Sequence, residues 1–194
     1  MRCRLVGSEM CIRDSNYTGS NSAIALAESL GFTSTNKTAF LMAYENQENT
    51  IKNILENGSF DESAGVNLLT TILITDFKII DLGGKNTYET YFRMRQNGQL
   101  PNGGNANNQK VDINQVYTFY DLKEGLDLSD AQTETFIRLF LENEVTKKNI
   151  RTQHRGDGAT ISKKLKALEK ETLVKLQQFL SDEQLQTLVQ IIGG

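Results

Sequence analysis

The residue types that most often carry chemistry are few and scattered in this chain. There is one histidine, His154, and there are two cysteines, Cys3 and Cys11. A metal site needs several nitrogen, sulfur or oxygen ligands held together. Nothing accompanies His154 in that role, so no metal is expected. A nucleophilic relay needs a serine or cysteine, a histidine and an acid arranged in order, and no such order is recognisable. No glycine-rich loop of the phosphate-cradling kind is present, and Gly83-Gly84 and Gly103-Gly104 read as turns. Carboxylates do not pair in a defined frame. The expectation is a protein that is not an enzyme and uses no cofactor.

Two other sets of residues are organised. The first is a pair of short strings, Leu128-Ser129-Asp130-Ala131-Gln132 and Leu180-Ser181-Asp182-Glu183-Gln184. Both fit Leu-[Ser/Thr]-x-x-Gln, and their local chemistry is that of a capping box. The serine oxygen accepts from the backbone N–H three residues on, and the glutamine reaches back to the serine N–H. The leucine ahead of the box is placed to act as a hydrophobic staple, with Leu180 and Leu185 at the right spacing, and aspartate in the first turn suits the helix dipole. Each cap is worth about 1 kcal/mol. A looser copy, Phe32-Thr33-Ser34-Thr35-Asn36, offers Thr33 and Asn36 in the same roles. The second set is cationic. Between residues 145 and 170, Lys147, Lys148, Arg151, Arg155, Lys163, Lys164, Lys166 and Lys170 are opposed only by Asp157 and Glu169. A solvated helix face is the plain reading of such a run. An anion-attracting patch for acidic protein segments or lipid head groups is the functional one. Arg155-Gly156-Asp157 is read as an inter-helix turn rather than an adhesion signal.

The elements that position these residues emerge from an internal repeat. Shifted by 96, seven of the 25 positions from 30 to 54 are identical to those from 126 to 150. Phe40 meets Phe136, Leu41 meets Ile137, and Lys52-Asn53-Ile54 meets Lys148-Asn149-Ile150. A shift of 97 aligns Phe77-Lys78-Ile79 with Val174-Lys175-Leu176, and Tyr88-Glu89-Thr90-Tyr91 with Leu185-Gln186-Thr187-Leu188. Each unit reads as helix, long helix, turn, long helix, short helix. Asp112 caps the first helix of the second unit, and Gly125 ends it. Phe136, Ile137, Phe140, Leu141 and Val145 fall at helical spacing in the next, and Leu185, Leu188, Val189 and Ile192 in the last. In the first unit, Thr33 is expected to start the long helix and Asn57-Gly58 to close it. The β-branched run from Leu68 to Ile74 is assigned to helix because the repeat requires it. The aromatic groups Tyr88, Tyr91, Phe92 and Tyr117, Phe119, Tyr120 are expected to fill the core between helices.

The fold class expected is therefore all-α, with two tandem helical-hairpin units forming a bundle or cradle. Residues 16–97 are the first, divergent unit and 112–194 the second. Residues 98–111, rich in glycine and asparagine and holding Pro101, read as a linker. Residues 1–15 are set aside. Leu5 to Ser15 runs Leu-Val-Gly-Ser-Glu-Met-Cys-Ile-Arg-Asp-Ser, which looks like one reading frame of a transposase sequencing adapter. Both cysteines go with it, and so does any disulfide, thiolate nucleophile or cysteine zinc site. Setting it aside takes away three basic and two acidic side chains and leaves a net charge of −4. That mild acidity does not favour nucleic acid as a partner. No uninterrupted apolar run approaches the roughly 18 residues that cross a bilayer.

Two such boxes flanking a long, charged helical hairpin resemble the Spy/CpxP family of periplasmic chaperones and stress-sensor proteins, known for twin Leu-Thr-x-x-Gln motifs. The resemblance covers about 70 residues, from Leu126 to Ile192, with serine in place of the usual threonine in both boxes. In the first unit the second box is replaced around Leu82-Gly-Gly-Lys-Asn-Thr87. The resemblance implies a curved helical cradle that holds unfolded or partly folded clients without ATP, in the periplasm or outside the cell. Because such proteins usually dimerise, it also implies a homodimer or a pseudo-dimer within one chain. The alternative reading is a helical docking module of a larger assembly, with a stable protein partner.

Overall fold

The computed structural model describes residues 21–56, 61–100 and 112–193. The adapter-like segment with Cys3 and Cys11, the expected helix end at Asn57-Gly58 and most of the linker lie outside the described residues.

Among the described residues there are seven α-helices and no strand. They are α1 (Asn21–Ser29), α2 (Ser34–Glu56), α3 (Glu62–Gln96), α4 (Ile113–Gly125), α5 (Asp130–Gln153), α6 (Gly158–Gln177) and α7 (Asp182–Gly193). α1 packs on α2, α2 on α3, α3 on both α4 and α5, α5 on α6, and α6 on α7. The ends are set by short polar side chains. Asp61, Asp112 and Asp157 accept from backbone N–H groups at the starts of α3, α4 and α6. The Asp157 carboxyl is held below the ordinary carboxylate range by the Thr160 hydroxyl and the Thr160 N–H. α1 and α4 terminate in the same way. The N–H of Phe32 reaches the Ala27 carbonyl and that of Leu128 the Lys123 carbonyl, with Gly31 and Asp127 in the left-handed region between. This is the Schellman arrangement, written twice at a spacing of 96.

α3 is two helices in one. A straight helix would separate Asp76 from Arg95 by about 28 Å at 1.5 Å per residue. Their side chains are instead bonded at 2.9 Å. The chain reverses at Gly84, whose φ of 77° and ψ of 172° belong to a region that glycine alone occupies readily. The two arms, 62–83 and 85–96, are therefore the counterparts of α6 and α7. The turn expected at Gly83-Gly84 is found, and the run from Leu68 to Ile74 is helical. By length and composition α3 is apolar enough to cross a membrane. Its apolar residues Leu73, Phe77, Ile79 and Ile80 are buried in the protein core.

Among the described residues the buried apolar side chains form two clusters. The larger joins α1, α2 and both arms of α3, and it continues across the linker through Leu100, Val116 and Ile137. Tyr117, Phe119 and Tyr120 pack against it half-buried. Tyr88 meets Tyr117 edge-on at 5.9 Å, a contact worth about 0.5–1.5 kcal/mol beyond the area it covers. The smaller cluster is Leu126, Leu128, Leu180 and Leu188, with Leu122, Phe136 and Phe179 against it.

Candidate functional site

The smaller cluster sits under the two Leu-Ser-x-x-Gln strings, which the fold brings together although they are 52 residues apart. Leu128 and Leu180 are its buried leucines. Both capping boxes are formed. Ser129 N–H donates to Gln132 Oε1 at 3.0 Å, and Ser181 N–H to Gln184 Oε1 at 2.9 Å. The return bonds from Gln132 N–H to Ser129 and from Gln184 N–H to Ser181 measure 3.3 and 3.2 Å. The amide nitrogens then cross the hairpin. Gln132 Nε2 donates to the Phe179 carbonyl at 2.9 Å and to Gln184 Oε1 at 3.0 Å. Gln184 Nε2 donates to the Leu126 carbonyl at 3.0 Å, and to the Asp127 carbonyl at 3.3 Å. Each glutamine thus caps its own helix with its oxygen and ties down the chain ahead of the other helix with its nitrogen. The pair clasps the open end of the α5–α6 hairpin and fixes where α7 begins.

The first half keeps part of this clasp. Asn36 Nδ2 donates to the Leu82 carbonyl at 3.1 Å. Asn36 lies 96 residues before Gln132 and Leu82 lies 97 before Phe179, so the bond matches the Gln132–Phe179 bond position for position. Thr33 does not act as its serine counterparts do. Its hydroxyl has no hydrogen-bond partner among the described residues, and Ser34 takes up a positive φ of 49° instead.

Behind that remnant, the first half closes over a buried polar group. Asp76 is 0 % exposed and receives bonds from Arg95 Nη1 at 2.9 Å, Arg95 Nη2 at 3.1 Å and the Tyr88 hydroxyl at 3.0 Å. Burial pushes the Asp76 carboxyl up, and the Arg95 charge and the hydrogen bonds oppose it. Burial alone would lower Arg95, but Asp76 beside it carries it higher. Tyr91 and Phe92 lie against the Arg95 guanidinium, with its carbon 5.5 and 5.1 Å from the ring centres. Burial, with Asp76 next, raises the Tyr91 phenol, and burial with Glu48 nearby pushes Tyr44 up to about 12.

The second half does not close. A groove of about 450 Å³ runs between α5, α6 and α7, floored by Phe136, Phe140 and Leu176 and edged by Leu173 and Val189. Val189 is 65 % exposed, Leu173 49 % and Phe140 38 %. No residue of α6 is fully buried. Lys147 lines one end of the groove and pairs with Glu144 at 2.7 Å, and Glu169 is its one lining acid. The remaining cations noted in the sequence, Lys148, Arg151, Arg155, Lys163, Lys164, Lys166 and Lys170, are exposed on the α5–α6 hairpin, from its tip to the middle of α6. None of these seven has an ion-pair partner among the described residues. Lys170 and Lys166 stand one and two helical turns from Leu173 on one face of α6. Thus the charge and the apolar groove share one hairpin. The groove-lining residues were missed when motifs alone were read. Comparing the two repeats position by position would have found them, because Phe92 becomes Val189 and Asp76 becomes Leu173.

Comparison with protein-family models, curated proteins and solved structures finds no match. Among the described residues no cluster of three or more histidine, cysteine, aspartate or glutamate side chains is placed to hold a metal.

Proposed function

We propose that this chain binds unfolded or partly folded polypeptide segments without ATP, as a holdase of the kind the Spy/CpxP resemblance implies. The observation that carries the reading is the open apolar groove between α5, α6 and α7, set in a hairpin with uncompensated positive charge. Exposed apolar area of this kind is costly unless something covers it. The net positive charge of the hairpin supports one occupant over others: an apolar stretch of chain with acidic residues beside it. The electrostatic part speeds encounter and weakens with salt. The groove then shields the apolar residues that would otherwise drive aggregation. A place in the bacterial periplasm, or outside the cell, belongs to the same proposal, and so does the use of two units in one chain as a pseudo-dimer.

The test is suppression of aggregation of a chemically denatured client by a several-fold excess of the protein. Suppression that is lost in Leu173→Asp, with far-UV circular dichroism unchanged, supports the reading. Aggregation proceeding at the same rate with and without the wild-type protein overturns it. Recovery of one tightly bound folded partner together with that failure would favour the docking-module reading.

A further inference from the structure

The groove has a filled counterpart in the same chain, and that counterpart shows what fits. Under the shifts of 96 and 97, Phe136 and Phe140 correspond to Phe40 and Tyr44, Asn143 to Gln47, and Leu173 to Asp76. Leu188 and Val189 correspond to Tyr91 and Phe92. In the first half, Phe40 and Tyr44 stack with ring centres 5.5 Å apart. Tyr91 and Phe92, from the arm after Gly84, complete the same buried cluster. The second half keeps the aromatic floor and loses both covering rings. Their replacements are a leucine and a valine, and the space is open to solvent.

We infer that the groove of the second half takes an aromatic side chain from a bound polypeptide segment, with an acidic residue of that segment facing the α5–α6 cations. An incoming ring restores the packing that Tyr91 and Phe92 supply in the first half. Phe136 and Phe140, the latter already met edge-on by Phe119 at 4.6 Å, offer it edge-to-face and offset ring contacts that an aliphatic side chain cannot make. No carboxylate stands where Asp76 would be, since Leu173 occupies that position, so a cation carried by the segment would find no buried partner there. Lys147 lines the groove but is held by Glu144 at 2.7 Å, and Glu169 lines it too, so the acid beside the ring is set against Lys166 and Lys170, which are exposed on α6 without an ion-pair partner among the described residues.

This deepens the proposed function and rests on it, and one experiment separates their failures. Fluorescently labelled, unstructured peptides with identical Asp/Glu flanks would carry Phe, Leu or Ser at two central positions, and binding to the full chain would be read by anisotropy. The Phe peptide is expected to bind at least tenfold more tightly than the Leu peptide, and lysine flanks are expected to weaken it by a similar factor. Val189→Phe, which restores the ring of the first half at a solvent-exposed position, is expected to cut Phe-peptide binding tenfold or more, whereas Val189→Ala leaves it within about threefold. Equal binding of Phe and Leu peptides overturns the aromatic preference and leaves client binding standing. Indifference to flank charge overturns the acidic part. No binding of any peptide overturns both readings.

Discussion

Replacing Gln132 with alanine separates two accounts of the twin motif. As an isolated capping box, Gln132 contributes only its bond from the Ser129 N–H. As half of a clasp, it also donates to the Phe179 carbonyl at 2.9 Å and to Gln184 Oε1 at 3.0 Å. A net contribution of about 1 kcal/mol per hydrogen bond sets an upper figure near ~3 kcal/mol. The site is half-exposed and water can replace part of this, so a loss of about 2 kcal/mol is expected. For a chain of this length each kilocalorie moves the midpoint by about 2–4 °C, which gives a fall of about 4–8 °C. The sharper measurement is a double-mutant cycle in urea with Gln132→Ala and Gln184→Ala. The two glutamines share the bond between their amides, and each supports the segment the other caps. Their coupling should therefore be about 1 kcal/mol, whereas Ser129→Ala and Ser181→Ala, which touch only their own boxes, should couple weakly. Glutamine losses that add to within about 0.5 kcal/mol would refute the clasp and leave two independent helix caps.

Three further substitutions test the first half. Gly84→Ala forces a side chain into a φ of 77°, and should destabilise by about 1–3 kcal/mol in chemical denaturation. Gly65→Ala, inside α3 with open space at its Cβ, should stabilise by about 0.5–1 kcal/mol, and a shared sign for the two would contradict the reversal at Gly84. Arg95→Met leaves Asp76 buried and unpaired, and should cost about 3–5 kcal/mol at pH 7. Without the guanidinium the Asp76 carboxyl, already pushed up by burial, rises further above its unfolded value. The folded state of the variant then favours the protonated acid, so its deficit should shrink as pH falls from 7 toward 4. A deficit that grows on acidification would show that Asp76 does not carry the loss.

The helices were legible because their ends are written in short-range code. Ser129, Ser181 and Asp112 announce caps within three residues of sequence, and Gly83-Gly84 announces a reversal. The clasp was not legible from the same code. The capping box accounts for the glutamine oxygen, but the partner of the amide nitrogen is a carbonyl 47 or 58 residues away. The Asp76–Arg95 pair was hidden for a similar reason. Nineteen residues separate the two in sequence, and only the fold at Gly84 brings them together. Thr33 shows the opposite error. Its sequence context matches that of Ser129, yet the backbone at Ser34 turns left-handed and the hydroxyl caps nothing.

The two halves divide one architecture between stability and access. In both, a long helix, its returning partner and a short third helix enclose a space over an aromatic pair. In the first, the short arm brings Tyr88, Tyr91, Phe92 and Arg95 into that space, and all are buried. The resulting core extends into α4 and α5, so the first half also supports the second. With that support in place, the second half can leave its equivalent space uncovered. Leu188 is buried and anchors α7, while Val189 next to it faces solvent. The Gln132–Gln184 clasp holds the start of α7 in register from the hairpin end, and farther along the groove lining Asn143 Nδ2 donates to the Thr172 hydroxyl at 2.9 Å between α5 and α6. If substitutions at the clasp altered peptide binding while leaving α7 in place, the division would fail, because the groove would then depend on the motif chemistry itself. If binding changed only in step with the thermal midpoint, the clasp would act by holding α7 where the groove needs it.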